Sequence, residues 1–382
     1  MRAATLTEFG SPLTVHDVPD PETGGGEVLV EVLATCVPPY AAEVFSGERR
    51  YPLEPPVVPG VGGIGRIARV GPDATKLHVG DLVWCDSTVR ARDDALTPDI
   101  TLQGWSSRGP GGAQLARYLH DGPFAELMRV PTENVYPLPA QAAADPARWS
   151  ALGVYTIPLP AQAAADPARW SALGVYTIPY GGLLAGGLEA GETVLISGAT
   201  GNLGSSAVAV ALAMGAGHVV APGRNRAVLD LLADRFGPRV SPVELTGHDD
   251  TDRAAMSAAA DGPIDLVLDL LPPQAPSAIT QAAAMTVREY GRVVLMGGVG
   301  MLGGADLALP YPWIMRNSLT IRGQWMYPRT ANVGMIRLIA SGALDLTPEH
   351  VTRFDLDQVN DAVAHAATHG GPFDRTVLTP SA

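Results

Sequence analysis

One stretch in the middle of the chain, residues 193–204, constrains the fold more than any other. It begins with the apolar run Thr-Val-Leu-Ile-Ser, turns through Gly198, Gly201 and Gly204, and leads into small residues over 205–216. Such a run is typical of a buried parallel strand, and a glycine-rich turn lets backbone N–H groups approach a pyrophosphate. A second β-like run at 218–221 completes the strand–turn–helix–strand order of a dinucleotide-binding unit. The sequence therefore predicts such a unit, and the alternative is a plain structural turn.

The first set of predicted cofactor contacts comes from this turn. Gly201 leaves room for the phosphates, and Gly204 lets the helix pack closely on the strand. The residues of the turn that we predict to contact the cofactor are Thr200, Gly201, Asn202, Leu203 and Gly204.

The segment after the second strand selects between NAD and NADP. An NAD site places a carboxylate there to accept a hydrogen bond from the ribose 2′-hydroxyl, whereas an NADP site supplies arginine for the 2′-phosphate. Residues 221–226 contain Arg224 and Arg226 and no carboxylate. Since helix N-termini disfavour cations, the two arginines indicate a nearby anion; ordinary solvated charges are the alternative. The sequence predicts NADP, contacted by Gly223, Arg224 and Asn225.

Composition limits the class of protein. The 382 residues exceed one ordinary core and 46% of them are apolar, which predicts two packed domains. The net charge of −13 argues against a nucleic-acid partner, because phosphate backbones are bound by clustered lysine and arginine. We expect a cytoplasmic protein without membrane contact, since the first residues lack an apolar signal segment and no apolar run has spanning length. The two cysteines exclude a disulfide framework and a four-cysteine zinc lobe.

The order of elements predicts an α/β fold with two units. Residues 27–35 and 56–70 are apolar and β-branched and are punctuated by Gly and Pro, which indicates a β-rich, barrel-like unit. From residue 180 onward, strand-like and helix-like segments alternate, which predicts a doubly wound parallel sheet. A small-molecule substrate is expected in the cleft between the units, beyond the carboxyl ends of the strands.

An exact internal repeat separates the two units. Residues 138–158 recur without change as residues 159–179, and a repeat of this kind is too short and too perfect for a solenoid. We interpret it as a tandem duplication, recent or engineered. Each copy has Asp followed by Pro where a helix begins, at Asp145 and at Asp166. Because the fold offers one interdomain position, we expect one copy to fill it and the other to form a surface excursion.

Several motifs along the chain together resemble those of a known superfamily. They are Gly-Gly-Glu-Val-Leu-Val at 25–30, Val-Gly-Asp at 79–81, Gly-Pro-Phe-Ala-Glu at 122–126, the 199–204 turn, and Leu-Met-Gly-Gly at 295–298. The chain resembles the medium-chain dehydrogenase/reductase superfamily from end to end, and within it the zinc-independent, quinone-oxidoreductase-like branch. The resemblance implies a homodimer and four regions. These are a GroES-like β-rich catalytic domain (1–137), the duplicated interdomain segment (138–179), a Rossmann NADP-binding domain (180–322) and a C-terminal return to the catalytic domain (323–382).

The resemblance also implies chemistry that differs from that of zinc-dependent members. Pro38 and Val61 stand where those enzymes place a cysteine and a histidine ligand, so no catalytic metal is expected. Tyr40 takes the position of the proton-relay hydroxyl and is a candidate donor to a developing oxyanion; a ring that fills the space of the metal is the alternative. Tyr51 resembles a substrate-contacting tyrosine of related double-bond reductases, and two additional residues precede it here.

Two further segments are predicted to contact the cofactor. Gly297 and Gly298 end a Rossmann strand, where glycine lets the backbone approach the nicotinamide riboside or simply forms a tight turn. Gln324 and Met326 lie where members of the superfamily touch the nicotinamide. Together these features predict a zinc-free NADPH-dependent reductase of a quinone, an enone or a reactive carbonyl. The alternatives are a reversible alcohol dehydrogenase acting on a secondary alcohol and a non-catalytic nucleotide-binding scaffold or redox sensor.

Overall fold

The computed structural model describes residues 1–138 and 166–381, whose strands form four β-sheets. In chain order the strands are β1 (Arg2–Thr5), β2 (Thr14–Asp17), β3 (Glu27–Cys36), β4 (Gly63–Val70), β5 (Leu82–Cys85), β6 (Thr88–Arg90), β7 (Ile100–Leu102), β8 (Ser106–Arg108), β9 (Leu127–Pro131), β10 (Val135–Pro137), β11 (Thr193–Ser197), β12 (His218–Gly223), β13 (Val240–Glu244), β14 (Ile264–Asp269), β15 (Val287–Leu295), β16 (Thr320–Gly323), β17 (His350–Asp355) and β18 (Asp374–Thr379).

The helices cover both faces of the largest parallel sheet and one side of the β-rich unit. In chain order they are α1 (Ala41–Phe45), α2 (Gly109–Tyr118), α3 (Pro167–Trp170), α4 (Leu173–Ala185), α5 (Asn202–Ala213), α6 (Arg226–Phe236), α7 (Asp249–Ala258), α8 (Ser277–Ala284), α9 (Tyr311–Arg316), α10 (Thr330–Ala340) and α11 (Val359–His369). Short 3₁₀ turns lie at Thr132–Asn134, Gly237–Arg239 and Leu356–Gln358. Within the described ranges, no helix combines the length and the apolarity that a bilayer crossing requires.

The long strand β3 is the centre of the β-rich unit. It belongs to a seven-stranded sheet in the order β10-β5-β4-β3-β18-β17, and β9 also pairs with β3. β3 runs antiparallel to β4, β9 and β18. Because β18 joins β3 at Val377 and Cys36, the last part of the chain returns to the sheet that the first part builds.

The second large sheet is parallel and has the order β13-β12-β11-β14-β15-β16. All five residues of β11 are buried, as expected of a strand that helices cover on both faces. The strand order reverses between β11 and β14, and open α/β sheets bind ligands outside the carboxyl ends of the strands at such a point. The predicted fold class, a β-rich unit followed by a doubly wound parallel sheet, is confirmed.

The described residues of the second copy, 166–179, lie between the two large sheets. α3 and α4 begin within it, and the side chains of Trp170 and Tyr176 are buried. Asp166 caps α3 by accepting a hydrogen bond at 3.1 Å from the backbone N–H of Arg169, as the Asp-Pro pattern predicts. Arg169 Nη1 in turn donates to the backbone carbonyl of Leu346 at 3.0 Å. These contacts tie the second copy to the C-terminal part of the chain.

α4 continues through Pro179 without a break, so the second copy of the repeat ends inside a helix, and the predicted domain boundaries stay a prediction. The excursion predicted for the other copy, residues 138–158, lies outside the described residues except for the buried Leu138. The two copies are identical in sequence, and the structure places the described residues of the second in the interdomain position.

A buried ion pair joins the repeat, the C-terminal strands and the helix after β11. Arg375 Nε and Glu349 Oε2 lie 2.8 Å apart, and their side chains are 2% and 0% exposed. The Tyr176 hydroxyl donates a hydrogen bond to Glu349, and Arg375 Nη2 donates to Ser206 Oγ of α5 at 3.1 Å. Burial raises the pKa of the Glu349 carboxyl, and the guanidinium of Arg375 opposes that rise. The charge of Arg375 is therefore matched inside the protein.

Removal of one copy of the repeat should leave the fold intact. Deleting either copy gives the same chain, which still contains the sequence of α3 and the start of α4. Because changing the length of an existing connection alters the closure entropy only slightly, we expect a free energy of unfolding within about 1 kcal/mol of the parent, or higher. Thermal unfolding and NADPH binding measure this outcome.

The matched control for that deletion is the removal of residues 166–186, an equally long segment that takes the non-repeated part of α4 with it. This control should not fold, because it removes the buried side chain of Leu183. If the repeat-shortened chain also fails to fold, both copies are integral elements of the structure.

Candidate active site

A cavity of about 970 Å³ lies between the β-rich unit and the parallel sheet, close to the upper size of typical ligand pockets. Of the residues that the sequence predicts for the site, Asn225 is outside the wall. The others line the cavity: Tyr40, Tyr51, Thr200, Gly201, Asn202, Leu203, Gly204, Gly223, Arg224, Gly297, Gly298, Gln324 and Met326. Segments far apart in the sequence thus meet at one place, and the ligand contact of each residue stays a prediction.

The turn after β11 requires glycine at position 204. A Cβ there would lie 1.9 Å from the carbonyl oxygen of Gly198, so α5 can begin close to the strand end only because residue 204 has no side chain. Gly201 is the N-cap of α5 and lines the cavity together with Asn202. Asn202 Nδ2 donates to the carbonyl of Gly371 at 3.1 Å and fixes the turn to the C-terminal loop. A helix N-terminus in this position favours a bound phosphate.

Arg224 lies on the cavity wall directly after β12. The preceding residue, Gly223, packs against Thr200, since a Cβ at Gly223 would lie 2.2 Å from Thr200 Cγ2. Arg224 is exposed, and within the described ranges it forms no ion pair with a carboxylate. Its charge is therefore available to a ligand.

The residues that follow Arg224 have partners in the protein. Arg226 Nε lies 2.9 Å from Asp230 Oδ1, and its Nη1 lies 3.7 Å from Glu244 Oε2. Asn225 Oδ1 accepts a hydrogen bond at 3.3 Å from the backbone N–H three residues later and so caps α6. Asn225 was predicted as a cofactor contact, and the structure gives it this capping role away from the wall.

Gly297 and Gly298 follow β15 and pack against the loop after β14. A Cβ at Gly297 would lie 2.4 Å from Asp269 Oδ2, and one at Gly298 would lie 2.8 Å from Pro273 Cγ. Thr280 donates to Asp269 Oδ1 at 3.0 Å, and burial raises the pKa of Asp269 to about 6. Close packing inside the protein thus requires the two glycines, which also form part of the wall.

The segment after β16 forms a neighbouring part of the wall. Gln324 Nε2 donates to the backbone carbonyls of Trp325 and Met326, both at 3.3 Å. Met326 has a positive φ of 58°. The segment is anchored by Tyr327, whose hydroxyl donates to the buried carboxylate of Asp86 at 2.9 Å. These contacts hold the two predicted nicotinamide contacts in place from both sides.

Aromatic side chains line the part of the cavity contributed by the β-rich unit. The ring of Tyr40 lies edge to face with Tyr51 at 6.3 Å and with Trp105 at 6.0 Å, measured between centroids. The guanidinium carbon of Arg49 lies 4.0 Å from the centre of the Tyr40 ring. Burial raises the pKa of Tyr40 more than Arg49 lowers it, so the phenol keeps its proton at neutral pH.

Sequence reasoning missed several residues of this wall. Arg49, Arg50, Trp105 and Arg108 all line the cavity. The first two directly precede Tyr51, where the resemblance to related reductases indicates two additional residues. No local pattern marks the other two, because β7, β8 and the start of α2 bring them to the cavity only in the folded chain.

The donor set on the wall does not fit a catalytic zinc. Pro38 and Val61, which stand at the expected ligand positions, line the cavity without a side-chain donor. Cys36 Sγ lies 3.1 Å from Ser171 Oγ, and burial raises the pKa of this thiol. Across residues 1–138 and 166–381, no three His, Cys, Asp or Glu side chains are grouped closely enough to hold a metal ion.

Comparison with known proteins gives matches in both units. Residues 24–140 match the alcohol dehydrogenase GroES-like domain, and residues 203–341 match the family described as zinc-binding dehydrogenase. An alcohol dehydrogenase of Rhizobium meliloti (strain 1021) is 30% identical over 334 residues, which cover 85% of this chain and 83% of that protein. The NAD-dependent alcohol dehydrogenase of Sulfurisphaera tokodaii is 24% identical, with all of both chains covered. A Sinorhizobium meliloti 1021 protein solved with bound NADP has a TM-score of 0.75 at 19% identity, with 99% of each chain covered.

Arg224→Ala should weaken NADPH binding about ten- to a hundredfold, because one charge-assisted hydrogen bond to the 2′-phosphate is lost. NADH lacks that phosphate, so its affinity should change by less than about threefold. Fluorescence titration of both cofactors measures the two dissociation constants. Arg226→Ala is the matched control, since its guanidinium already pairs with Asp230, and it should leave both affinities nearly unchanged. Equal losses for NADPH and NADH would contradict the assignment of Arg224.

Proposed function

The chain belongs to the medium-chain dehydrogenase/reductase superfamily and is an oxidoreductase, and we propose that it is a zinc-free, NADPH-dependent reductase of a quinone, an enone or a reactive carbonyl. The observation that carries this proposal is the composition of the cavity wall. Pro38 and Val61 provide no metal ligand, and a protonated phenol, Tyr40, lies beside them. The wall therefore offers hydrogen-bond donors in place of a Lewis acid.

The residues that would hold NADPH run along one side of the cavity. The N-terminus of α5 and the turn around Gly201 suit the pyrophosphate, and Arg224 suits the 2′-phosphate. Gly297 and the 324–326 segment suit the nicotinamide. When bound, NADPH supplies a hydride. The bound NADP of the Sinorhizobium meliloti neighbour supports this choice of cofactor, whereas the Sulfurisphaera tokodaii relative is named as NAD-dependent.

Tyr40 is the candidate proton donor of this proposal. As hydride adds to the acceptor carbon, negative charge grows on the acceptor oxygen, and a phenol can donate a hydrogen bond or its proton to that oxygen. Burial raises the pKa of Tyr40, so the phenol is protonated at neutral pH and has a proton with which to donate this hydrogen bond. The cation of Arg49 above the ring stabilises the phenolate that proton donation leaves behind, and solvent then restores the proton.

Two other functions remain as alternatives. The names of the relatives favour a reversible alcohol dehydrogenase acting on a secondary alcohol. A non-catalytic nucleotide-binding scaffold or redox sensor would bind the nucleotide at the same glycine-rich turn without converting a substrate. The predicted homodimer is compatible with all three functions.

A panel of acceptors should separate these functions. We expect NADPH oxidation with at least one of a quinone, an enone and an activated aldehyde, and no NADP reduction with simple secondary alcohols. Because the wall lacks metal ligands, activity after treatment with 1,10-phenanthroline and EDTA should remain within about twofold of the untreated enzyme. Loss of activity that zinc restores, or alcohol oxidation as the main reaction, would overturn the proposal. Tight NADPH binding without turnover of any acceptor would instead favour the scaffold.

Tyr40→Phe keeps the ring and removes only the proton donor. A general acid contributes about 10²- to 10⁴-fold in rate, so we expect kcat with an enone to fall within that range while NADPH affinity is unchanged. Tyr290→Phe, at an exposed position outside the cavity wall, is the matched control and should behave as the parent enzyme. If Tyr40→Phe turns over normally, Tyr40 is a packing residue.

A further inference from the structure

The charge on the cavity wall is opposite to that of the whole protein. The chain carries 39 acidic and 26 basic residues, Asp plus Glu against Lys plus Arg. The charged side chains on the wall are nevertheless five arginines and one aspartate: Arg49, Arg50, Arg108, Arg224, Arg375 and Asp374. Such a concentration of cations in a cavity of an acidic protein indicates anionic ligands.

Two of these arginines already have a role. Arg375 is neutralised by Glu349 inside the protein. Arg224 follows Gly223, which packs against Thr200 of the glycine-rich turn, and suits the cofactor 2′-phosphate. The remaining three, Arg49, Arg50 and Arg108, belong to the β-rich unit and line the cavity. The predicted cofactor contacts assign no role to these three cations.

Arg49 and Arg50 directly precede Tyr51. Arg49 Nη1 lies 3.0 Å from Glu43 Oε2, while its guanidinium also stacks on Tyr40, so this charge is partly matched. Arg50 has no ion-pair partner among the described residues. Its φ of 44° lies in the left-handed region, which a residue with a Cβ adopts only at an energetic cost. The loop thus accepts backbone strain while it places an unmatched cation at the cavity.

Arg108, the last residue of β8, also lines the cavity. Its guanidinium carbon lies 5.5 Å from the centre of the Trp325 ring, next to the predicted nicotinamide contact Gln324. The preceding Ser107 donates its hydroxyl to the backbone carbonyl of Pro52 at 3.4 Å, which joins this strand end to the loop of Arg50. Arg108 Nη2 donates to the backbone carbonyl of Pro98 at 3.4 Å, and within the described ranges the guanidinium forms no ion pair with a carboxylate. Two guanidinium groups without a carboxylate partner therefore line the cavity together with Tyr51 and Trp325.

We propose that the acceptor carries a carboxylate, bound by Arg50 and Arg108, with its apolar part between the aromatic rings of Tyr51 and Trp325. Guanidinium groups bind carboxylates through paired, charge-assisted hydrogen bonds, and the flat rings suit an aryl or unsaturated carbon skeleton. This inference rests on the proposed reductase function, which it narrows to acceptors such as oxo acids and unsaturated acids. A neutral quinone would leave both cations without a partner.

The test compares an acidic acceptor with its neutral ester. The probes are (E)-4-oxo-4-phenylbut-2-enoate and its methyl ester, which share the reducible enone. We expect the acid to have a kcat/KM at least about tenfold above that of the ester, as one charge-assisted contact provides. Arg50→Gln and Arg108→Gln should each lower kcat/KM for the acid about tenfold and leave the ester within about twofold. Arg50→Lys, which keeps the charge, should restore part of the loss.

Arg117→Gln is the matched control, because Arg117 lies outside the cavity in an exposed pair with Glu54 and its loss should change neither substrate. Binding of the saturated acid, 4-oxo-4-phenylbutanoate, and of its methyl ester to the NADP-loaded protein separates the two proposals. Tighter binding of the acid that Arg50→Gln abolishes, without any turnover of the enones, would support the carboxylate site and contradict the reductase function. Equal binding and equal turnover of acid and ester would overturn the carboxylate site alone.

Discussion

The buried ion pair between Glu349 and Arg375 is the interaction on which the rest of the structure depends. It lies where α4, α5 and the C-terminal segment that contains β17 and β18 meet. Removing one partner of such a pair costs about 3 to 5 kcal/mol, because the other charge stays buried without compensation. The pair and its hydrogen bonds connect the described part of the repeat and α5 to the C-terminal segment. Since Arg375 is paired with Glu349, it lines the cavity without adding net charge.

The parallel sheet could be predicted closely because its strands are marked by local patterns. β11 and β14 begin and end where the apolar runs do. β12 extends two residues beyond the predicted end at residue 221, through Pro222 to Gly223, because pairing with β13 continues there. α5 starts at residue 202 rather than 205, since the glycine-rich turn is shorter than the pattern of small residues indicates. The predicted cofactor contacts at residues 200–204 are adjacent in sequence, so the glycine-rich pattern alone was enough to predict them.

The acceptor side could be predicted only in part. Tyr40 and Tyr51 were predicted through the resemblance to known enzymes, while no sequence pattern predicted that Arg50 and Arg108 line the cavity. These arginines are 58 positions apart in the chain, and a hydrogen bond between Ser107 and Pro52 brings their segments together. Asn225 shows another limit, because the cap that its side chain forms on α6 was not predicted, and its cofactor contact stays a prediction. The roles of these side chains depend on contacts that form only in the folded chain, and sequence spacing alone does not predict such contacts.

The position of β16 at the end of the parallel sheet has a mechanical consequence. On its outer side the strand has no neighbour among the described residues, so its backbone N–H and C=O groups can accept another strand. The same four residues, Thr320–Gly323, lead directly into the wall segment that holds Gln324 and Met326. Any chain that extends the sheet at this edge would stiffen the backbone next to the predicted nicotinamide contacts. Assembly and the choice of acceptor would then depend on one short piece of main chain.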